Sequence, residues 1–261
     1  MDKRLNPNRP GVDGEPARLA AASTDVQKAP RRDAMRMTQG LRGEDVRVFE
    51  RHEGWAYVQL EADGYVGYVE EEALGPRGPA ATHWLSVPSS FAYPAADLKT
   101  SPVLEVFFGT RLAVTGTDAN YARTPLGFVP LSHVKSLDTP RADPAGIAAE
   151  FMYAPYLWGG KTVRGLDCSG LVQLALNACG IAALRDTDMQ EASLGRALNA
   201  GEPLQRNDLV FWKGHVGILS GPESLIHANG THMQVVEEPL AQAITRIAAM
   251  GSEVTSIRRL Q

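Results

Sequence analysis

The chain has 261 residues, of which 44% are hydrophobic and 21% are charged, and this composition is typical of a soluble globular protein with a substantial core. Its 26 Lys and Arg residues against 30 Asp and Glu residues give a formal net charge of −4, which argues against a protein built to bind a nucleic-acid backbone. No stretch approaches the ~18 apolar residues of a membrane span, and the N-terminus lacks the apolar run of a secretory signal. We therefore expect a cytoplasmic protein of about two domains, with no nucleic-acid partner and no membrane span.

Short strands with turns between them are predicted for the first half of the chain. Residues 1–29 contain Pro7, Pro10 and Pro16 among glycines and are interpreted as an extended arm. A succession of strand-like runs then occurs twice, at residues 46–49, 55–58 and 64–69 and again at residues 111–115, 121–123 and 126–129. This repeat predicts two small β-barrels, at residues 30–77 and 80–138, with a long insert at 89–102 in the second.

The second half of the chain has the pattern of an α+β domain over residues 141–261. Asp143 and Pro144 predict the N-cap and first residue of a helix, and residues 168–179 and 188–197 predict two more. Strands are predicted after them, at residues 209–212, 216–219, 225–227, 233–236 and 254–258. Helices followed by antiparallel strands indicate the α+β class.

The two cysteines lie at opposite ends of the helix predicted at residues 168–179. Eleven residues of helix separate their Cα atoms by about 16 Å, which is too far for a disulfide. Cys179, in the last turn, is interpreted as a buried small hydrophobic residue. Cys168, at the helix start, faces unpaired backbone N–H groups and the positive end of the helix dipole, which favour a thiolate and can stabilise an oxyanion. The position predicts a nucleophile.

Two histidines are candidates for the base that such a nucleophile needs. His215 begins one predicted strand and His227 ends the next, so a hairpin can place them side by side. One ring would accept the thiol proton and the other would orient the first. A zinc site on Cys168, His215 and His227 is an alternative, but no short ligand pair typical of zinc sites is present. A binding protein with incidental histidines is another, and the other histidines are interpreted as surface or capping residues: His52, His83, His133 and His232.

Five separated blocks of sequence give a family resemblance. They read YLWGG at 156–160, GLDCSGLVQ at 165–173, NDLVFW at 207–212, HVGI at 215–218 and IHA at 226–228. In this order they resemble the active-site signature of NlpC/p60 cysteine peptidases. Residues 34–137 resemble the tandem bacterial SH3-like domains that precede this domain in γ-D-glutamyl-L-diamino acid endopeptidases. Asn207 stands where the family usually has glycine, and asparagine also tolerates a left-handed turn.

The resemblance implies a papain-like catalytic domain that needs no metal or organic cofactor. It implies cleavage of the bond between γ-D-glutamate and diaminopimelate or lysine, in murein peptides of the form L-Ala-γ-D-Glu-diamino acid with a free N-terminal alanine. The residues that it assigns to the site are Cys168, His215 and His227 as the triad, Tyr156 at the oxyanion, and Asp167, Ser169, Arg185, Asp186 and Thr187 at the peptide. A desolvated ammonium needs a counter-charge, for which Asp167 is the main candidate, with Tyr68 or Glu44 of the first barrel as further candidates.

The expected role is the recycling of soluble wall peptides. The alternatives are an exported hydrolase of intact peptidoglycan, a non-catalytic muropeptide-binding module, and a transferase that uses the same acyl-enzyme. The intact trio of Cys168, His215 and His227 argues against the non-catalytic module.

Overall fold

The computed structural model describes residues 2–260 and divides the chain into two compact units, Met1–Thr139 and Pro140–Gln261. No helix within residues 2–260 is long and apolar enough to cross a membrane. The first unit is built from strands and the second from helices and strands. The α+β class predicted for residues 141–261 is therefore confirmed.

The first half of unit Met1–Thr139 is one antiparallel sheet, in the strand order β3-β2-β6-β5-β4-β1-β7. Its strands are β1 (Glu15–Leu19), β2 (Ser23–Gln27), β3 (Arg36–Leu41), β4 (Asp45–His52), β5 (Trp55–Leu60), β6 (Val66–Glu70) and β7 (Leu74–Gly75). Burial alternates along β5, where Ala56, Val58 and Leu60 point inward, as expected for a strand with one face on a core.

Strands β1 and β2 correct the prediction of an extended arm over residues 1–29. β1 pairs with β4 and β7, and β2 pairs with β3 and β6. Leu19 and Val26 are fully buried. Pro16 is paired with Arg47 on one side only, and a strand tolerates proline where its other edge is unpaired. The proline content was therefore a misleading signal of irregular structure.

The second half of this unit forms three smaller sheets around its own core. Its strands are β8 (His83–Leu85), β9 (Ser89–Ala92), β10 (Leu104–Phe107), β11 (Arg111–Leu112), β12 (Gly116–Asp118), β13 (Tyr121–Thr124), β14 (Gly127–Pro130) and β15 (Val134–Ser136). The hairpin β13-β14 leads through a 3₁₀ turn at Leu131–His133 into β15, as β5-β6 leads through Glu71–Ala73 into β7. The predicted repeat corresponds to this shared succession. The insert at 89–102 begins with β9, which pairs with β10.

Unit Pro140–Gln261 packs its helices against one antiparallel sheet, in the strand order β18-β23-β19-β20-β21-β22. The helices are α1 (Pro144–Ala149), α2 (Cys168–Ala178), α3 (Thr187–Ser193) and α4 (Leu240–Ala249). The strands are β16 (Lys161–Thr162), β17 (Gly165–Leu166), β18 (Arg196–Ala197), β19 (Leu209–Trp212), β20 (His215–Gly221), β21 (Ser224–Asn229), β22 (Gln234–Pro239) and β23 (Val254–Arg259). Helix α4 was not predicted, although Leu240, Ala243 and Ile247 are buried at the spacing of one helical face.

Two close contacts secure the starts of helices α2 and α1 in this unit. A Cβ atom at Gly170 in α2 would lie 2.3 Å from the carbonyl oxygen of Gly160, so only glycine lets this loop pack against the helix start. Asn207 has a φ of +73°, which agrees with the left-handed turn expected for it. Its Oδ1 atom accepts a hydrogen bond of 2.8 Å from the backbone N–H of Ala145, so asparagine also secures the start of α1, where Asp143 is the N-cap.

Candidate active site

The thiol of Cys168 lies at the start of α2, against the first residues of β20. Cys168 is 6% exposed. Its sulfur accepts a hydrogen bond from the backbone N–H of Val216 and lies 3.9 Å from Oγ1 of Thr187. Because Val216 directly follows His215, this bond brings the helix start and the histidine-bearing strand together. The structure thus places a sulfur atom, a backbone donor and an imidazole in one small volume.

The two histidines are joined by a direct hydrogen bond. Nε2 of His215 lies 2.8 Å from Nδ1 of His227, and the ring centroids are 5.0 Å apart. The ring of Trp212 also contacts the ring of His215, with centroids 5.5 Å apart. Because Nε2 of His215 and Nδ1 of His227 bond each other, these two nitrogens do not together bind one metal ion. The hairpin β20-β21 therefore brings the two rings together as the spacing predicted.

Glu238 continues this chain of contacts, and the sequence reasoning missed it. Its Oε1 atom lies 2.6 Å from Nε2 of His227 and also bonds the guanidinium of Arg246. Nδ2 of Asn229 lies 3.0 Å from the same ring nitrogen. In β22 Glu238 lies two residues beyond Val236, the register partner of His227, and is thus its diagonal neighbour. Extending the predicted strand 233–236 by two residues would have revealed it.

Burial decides the protonation of the sulfur and of both rings. It raises the pKa of the Cys168 thiol to about 11, with Asp167 acting in the same direction and the N–H of Val216 opposing it. Burial, assisted by Arg246, lowers the pKa of His215 to about 4. Burial also lowers the pKa of His227 to about 2, with the charges of His215 and Arg246 adding to the effect. At neutral pH all three groups are uncharged.

The expectation of a thiolate at the helix start is therefore wrong for the free enzyme. The helix start does supply a donor environment, but removing a sulfur anion from water outweighs it when the side chain is almost completely buried. The nucleophile must instead lose its proton as it reacts, to a base that is already neutral. His215 is such a base.

Asp167, Ser169 and Arg185 form a second buried network beside the sulfur. Oδ2 of Asp167 accepts hydrogen bonds of 2.7 Å from Arg185 and 2.8 Å from the N–H of Gly159, and its Oδ1 caps α2 by accepting from Gly170 at 2.7 Å. The other Arg185 nitrogen donates to Oγ of Ser169 at 2.7 Å. Arg185 is 1% exposed, and its bonds to Asp167 keep its pKa above the ordinary value although burial opposes this.

This network corrects the role expected for Asp167. The carboxylate was the main candidate to bind the substrate ammonium, but its charge is compensated by Arg185 and its oxygens already accept backbone hydrogen bonds. Ser169 likewise gives its oxygen to Arg185. The two residues hold the loop and the helix start in place around Cys168.

The remaining predicted residues divide between the two units. Tyr156 is half-buried, and burial together with the nearby Cys168 and Asp167 raises its pKa, so its hydroxyl stays protonated and able to donate. Asp186 is the N-cap residue of α3, beside Thr187. Tyr68 lies in β6 of the first unit with its ring 4.9 Å from that of Tyr57, and its role at the substrate stays a prediction.

Comparison with known proteins identifies the two kinds of domain. Residues 153–252 match the sequence model of the NlpC/P60 family, and residues 26–74 match that of the bacterial dipeptidyl-peptidase Sh3 domain. The chain is 27% identical over 256 residues to a γ-D-glutamyl-L-lysine dipeptidyl-peptidase of Bacillus subtilis, an alignment that covers 87% of this chain and 82% of the relative. It is 33% identical over 113 residues to dipeptidyl-peptidase 6 of Lysinibacillus sphaericus, an alignment that covers 40% of this chain and 41% of the relative.

The crystal structure of an NlpC/P60 family protein from Bacillus cereus has the same fold. It matches with a TM-score of 0.80 at 22% identity, over 94% of this chain and 99% of that one. Together, the fold, the cysteine–histidine site and the family match define the second unit as a cysteine peptidase domain. This chain contains an NlpC/P60 domain, preceded by a bacterial SH3 domain. The second SH3-like domain, at residues 80–138, stays a prediction because the family model matches only the first.

Proposed function

We propose that this protein hydrolyses the amide between γ-D-glutamate and an L-diamino acid, diaminopimelate or lysine, in peptides derived from peptidoglycan. The observation that carries the proposal is the buried Cys168 thiol bonded by Val216 N–H, next to the hydrogen-bonded pair His215–His227. The substrate class is supported by the names of the relatives, two of which are γ-D-glutamyl-L-lysine dipeptidyl-peptidases that align with 78% and 87% of this chain.

The proposed reaction is acyl transfer through sulfur. His215 takes the proton of Cys168 as the sulfur attacks the γ-carbonyl carbon of D-glutamate, and the carbonyl becomes an oxyanion held by the N–H groups at the start of α2. Tyr156 donates its hydroxyl proton in a hydrogen bond to the same oxygen. His215, now protonated, gives the proton to the leaving amine of the diamino acid. Water then attacks the thioester carbon while His215 accepts a proton from the water. The carbon–sulfur bond breaks, the dipeptide leaves with a free γ-carboxyl group, and His215 returns its proton to the sulfur, which restores the thiol of Cys168.

A free amino terminus on the substrate follows from the same relatives, because a dipeptidyl-peptidase removes the first two residues of a chain. The further candidates that the family resemblance gave for the ammonium, Tyr68 and Glu44, stay predictions after the correction at Asp167. We place this activity in the cytoplasm, on wall peptides that are being recycled. An exported enzyme acting on intact wall is the competing role, and a comparison of free peptides with purified sacculi separates the two.

The decisive test is replacement of the sulfur. Cys168→Ala is expected to abolish hydrolysis of L-Ala-γ-D-Glu-diaminopimelate, measured by mass spectrometry of the products, while the circular dichroism spectrum is unchanged. Cys179→Ala is the matched control, because Cys179 lies at the far end of the same helix, and it should retain activity. Turnover by the Cys168→Ala protein at the wild-type rate would refute the proposal.

A substrate panel tests the requirement for a free terminus. We expect cleavage of the tripeptide and of its lysine analogue, no cleavage of the N-acetylated tripeptide, and no release of peptides from purified sacculi. Release from sacculi at a rate similar to that of the free tripeptide would support the exported hydrolase instead.

A further inference from the structure

The contact between Glu238 and His227 bears on where the ring protons of the two histidines lie. His215 can act as a base only if the nitrogen that it turns toward Cys168 carries no proton. Nε2 of His215 is bonded to His227, so Nδ1 is the nitrogen left for the sulfur. A neutral imidazole has one proton, and the hydrogen bonds of its other nitrogen decide where that proton lies.

The bonds of His227 fix both rings together. If Nε2 of His227 carries its proton and donates it to Glu238, then its Nδ1 is an acceptor and receives the proton of His215 Nε2. Nδ1 of His215 is then unprotonated and ready to accept from Cys168. In the opposite arrangement, His227 is protonated on Nδ1 and His215 on Nδ1, and His215 cannot act as a base. Both arrangements carry the same two protons, so only the surroundings choose between them.

Two side chains compete at Nε2 of His227. Oε1 of Glu238, at 2.6 Å, can only accept and favours the active arrangement. Nδ2 of Asn229, at 3.0 Å, can only donate and favours the inactive one. The amide of Asn229 is held in this orientation because its Oδ1 accepts from the backbone N–H of His232 at 2.9 Å. The shorter contact to a carboxylate is the stronger of the two.

Arg246 holds the carboxylate in this place. It bonds the same oxygen of Glu238 from helix α4, and it also bonds Thr231. The charged and titratable groups around the pair are thus Cys168 from α2, Glu238 from β22, Arg246 from α4 and His232 from the turn after β21. With Glu238 paired to Arg246, the carboxylate accepts a proton in a hydrogen bond without adding a net negative charge next to His227.

We propose that Glu238, held by Arg246, is a positioning residue that fixes the ring protons of His227 and His215 against the opposing amide of Asn229, so that His215 presents an unprotonated nitrogen to Cys168. The inference deepens the proposed function and rests on it for the direction of proton transfer. It assigns no contact between Glu238 and the substrate.

The first experiment removes the carboxylate. In Glu238→Leu the amide of Asn229 is left unopposed, so ¹⁵N NMR should show the proton of His215 moved to Nδ1, whereas the wild-type ring has it on Nε2. Alkylation of Cys168 by iodoacetamide and kcat should both fall, with kcat lower by up to about 10⁴-fold and KM unchanged, because this is the scale for a catalytic histidine held in the wrong tautomer. Glu237→Leu is the matched control, because Glu237 is exposed on the other side of β22 and contacts Ser220.

The second experiment moves the acceptor to the other side of the ring nitrogen. Asn229→Asp replaces the competing donor with an oxygen of nearly the same shape and still accepts from His232. We expect the double variant Glu238→Leu, Asn229→Asp to regain most of the alkylation rate and the wild-type ring protonation. A residue needed only for folding would not be rescued in this way.

The outcomes separate the proposal from its alternatives. Glu238→Leu with unchanged ¹⁵N shifts of His215, or a folded double variant without rescue, would overturn it. If Glu238→Leu does not fold, Glu238→Ala takes its place, because it also removes the acceptor, and wild-type ring protonation together with wild-type alkylation in that variant would also overturn the proposal. Iodoacetamide and NMR need no wall peptide, so these readouts hold even if the peptide in the proposed function is not the substrate.

Discussion

Two buried polar networks flank Cys168, and they stabilise different things. On one side Asp167 and Arg185 form an ion pair, 2.7 Å apart. Asp167 also accepts from backbone N–H groups, and Arg185 also donates to Ser169. On the other side His215 and His227 are neutral rings that share a hydrogen bond and end on Glu238. The charged network fixes where the backbone lies, whereas the neutral network fixes where a proton lies.

The difference shows why burial has opposite uses on the two sides of one sulfur atom. A buried ion pair is tolerable only when every charge is compensated, so its members are unavailable to a ligand. Buried neutral imidazoles keep low pKa values and remain able to accept a proton at neutral pH. The polar side chains on the two sides of Cys168 therefore have distinct roles.

The largest expected effect comes from breaking the charged network. Arg185→Met should lower the free energy of unfolding by about 3–5 kcal/mol, because it leaves the Asp167 carboxylate buried without its counter-charge. Urea unfolding followed by fluorescence measures it. Arg206→Met is the control, since its pair with Asp143 is exposed and should be worth about 1 kcal/mol or less. Equal losses of unfolding free energy in the two variants would contradict the distinction between the buried ion pair and the exposed one.

The neutral network should make stability depend on pH. The pKa values of His215 and His227 in the folded state are about 4 and about 2, below the ordinary 6.5 of an unfolded histidine. As the pH falls below 6.5, the unfolded chain binds protons that the folded chain does not, so stability decreases toward low pH. Each ring contributes about 1.4 kcal/mol per pH unit in this window. Unfolding of wild type and of His227→Asn at pH 7, 6 and 5 measures it, and a slope that His227→Asn does not reduce would disagree with this account.

The smallest expected effect separates a bond from a charge within the first network. Ser169→Ala removes one acceptor of Arg185 but leaves its ion pair with Asp167 intact. We expect a loss of about 1–2 kcal/mol in unfolding free energy and a KM within a few fold of wild type. A large increase in KM without loss of stability would show that Ser169 faces the substrate, as the family resemblance implied.

Local patterns predicted much of the fold. The helix from Cys168 was expected at 168–179 and ends at Ala178, and the five strands predicted for the second unit lie within a few residues of β19 to β23. Helix α4 was missed although Leu240, Ala243 and Ile247 have the spacing of one helical face, so this element was readable from the sequence. Strands β1 and β2 were missed because they are short and the first contains Pro16, and they are stabilised by pairing with residues far along the chain.

The site was predictable in its residues but not in its protonation. The hairpin spacing predicted that His215 and His227 meet, and the family resemblance joined them to Cys168. The partners Glu238 and Arg185 depend on tertiary contacts that no local pattern indicates. The pKa of Cys168 was predicted in the wrong direction because the sequence shows the helix start but not how deeply the sulfur is buried.

The most direct test of this account is a titration of the Cys168 thiol by its ultraviolet absorbance. The measurement uses Cys179→Ser protein, in which Cys168 is the one thiol, with Cys168→Ser as the blank. We predict no thiolate through neutral pH and an apparent pKa well above 9, since the sulfur and His215 are both neutral in the free enzyme. A thiolate that is already present at pH 6 would show an ion pair with a protonated His215, and would contradict the account.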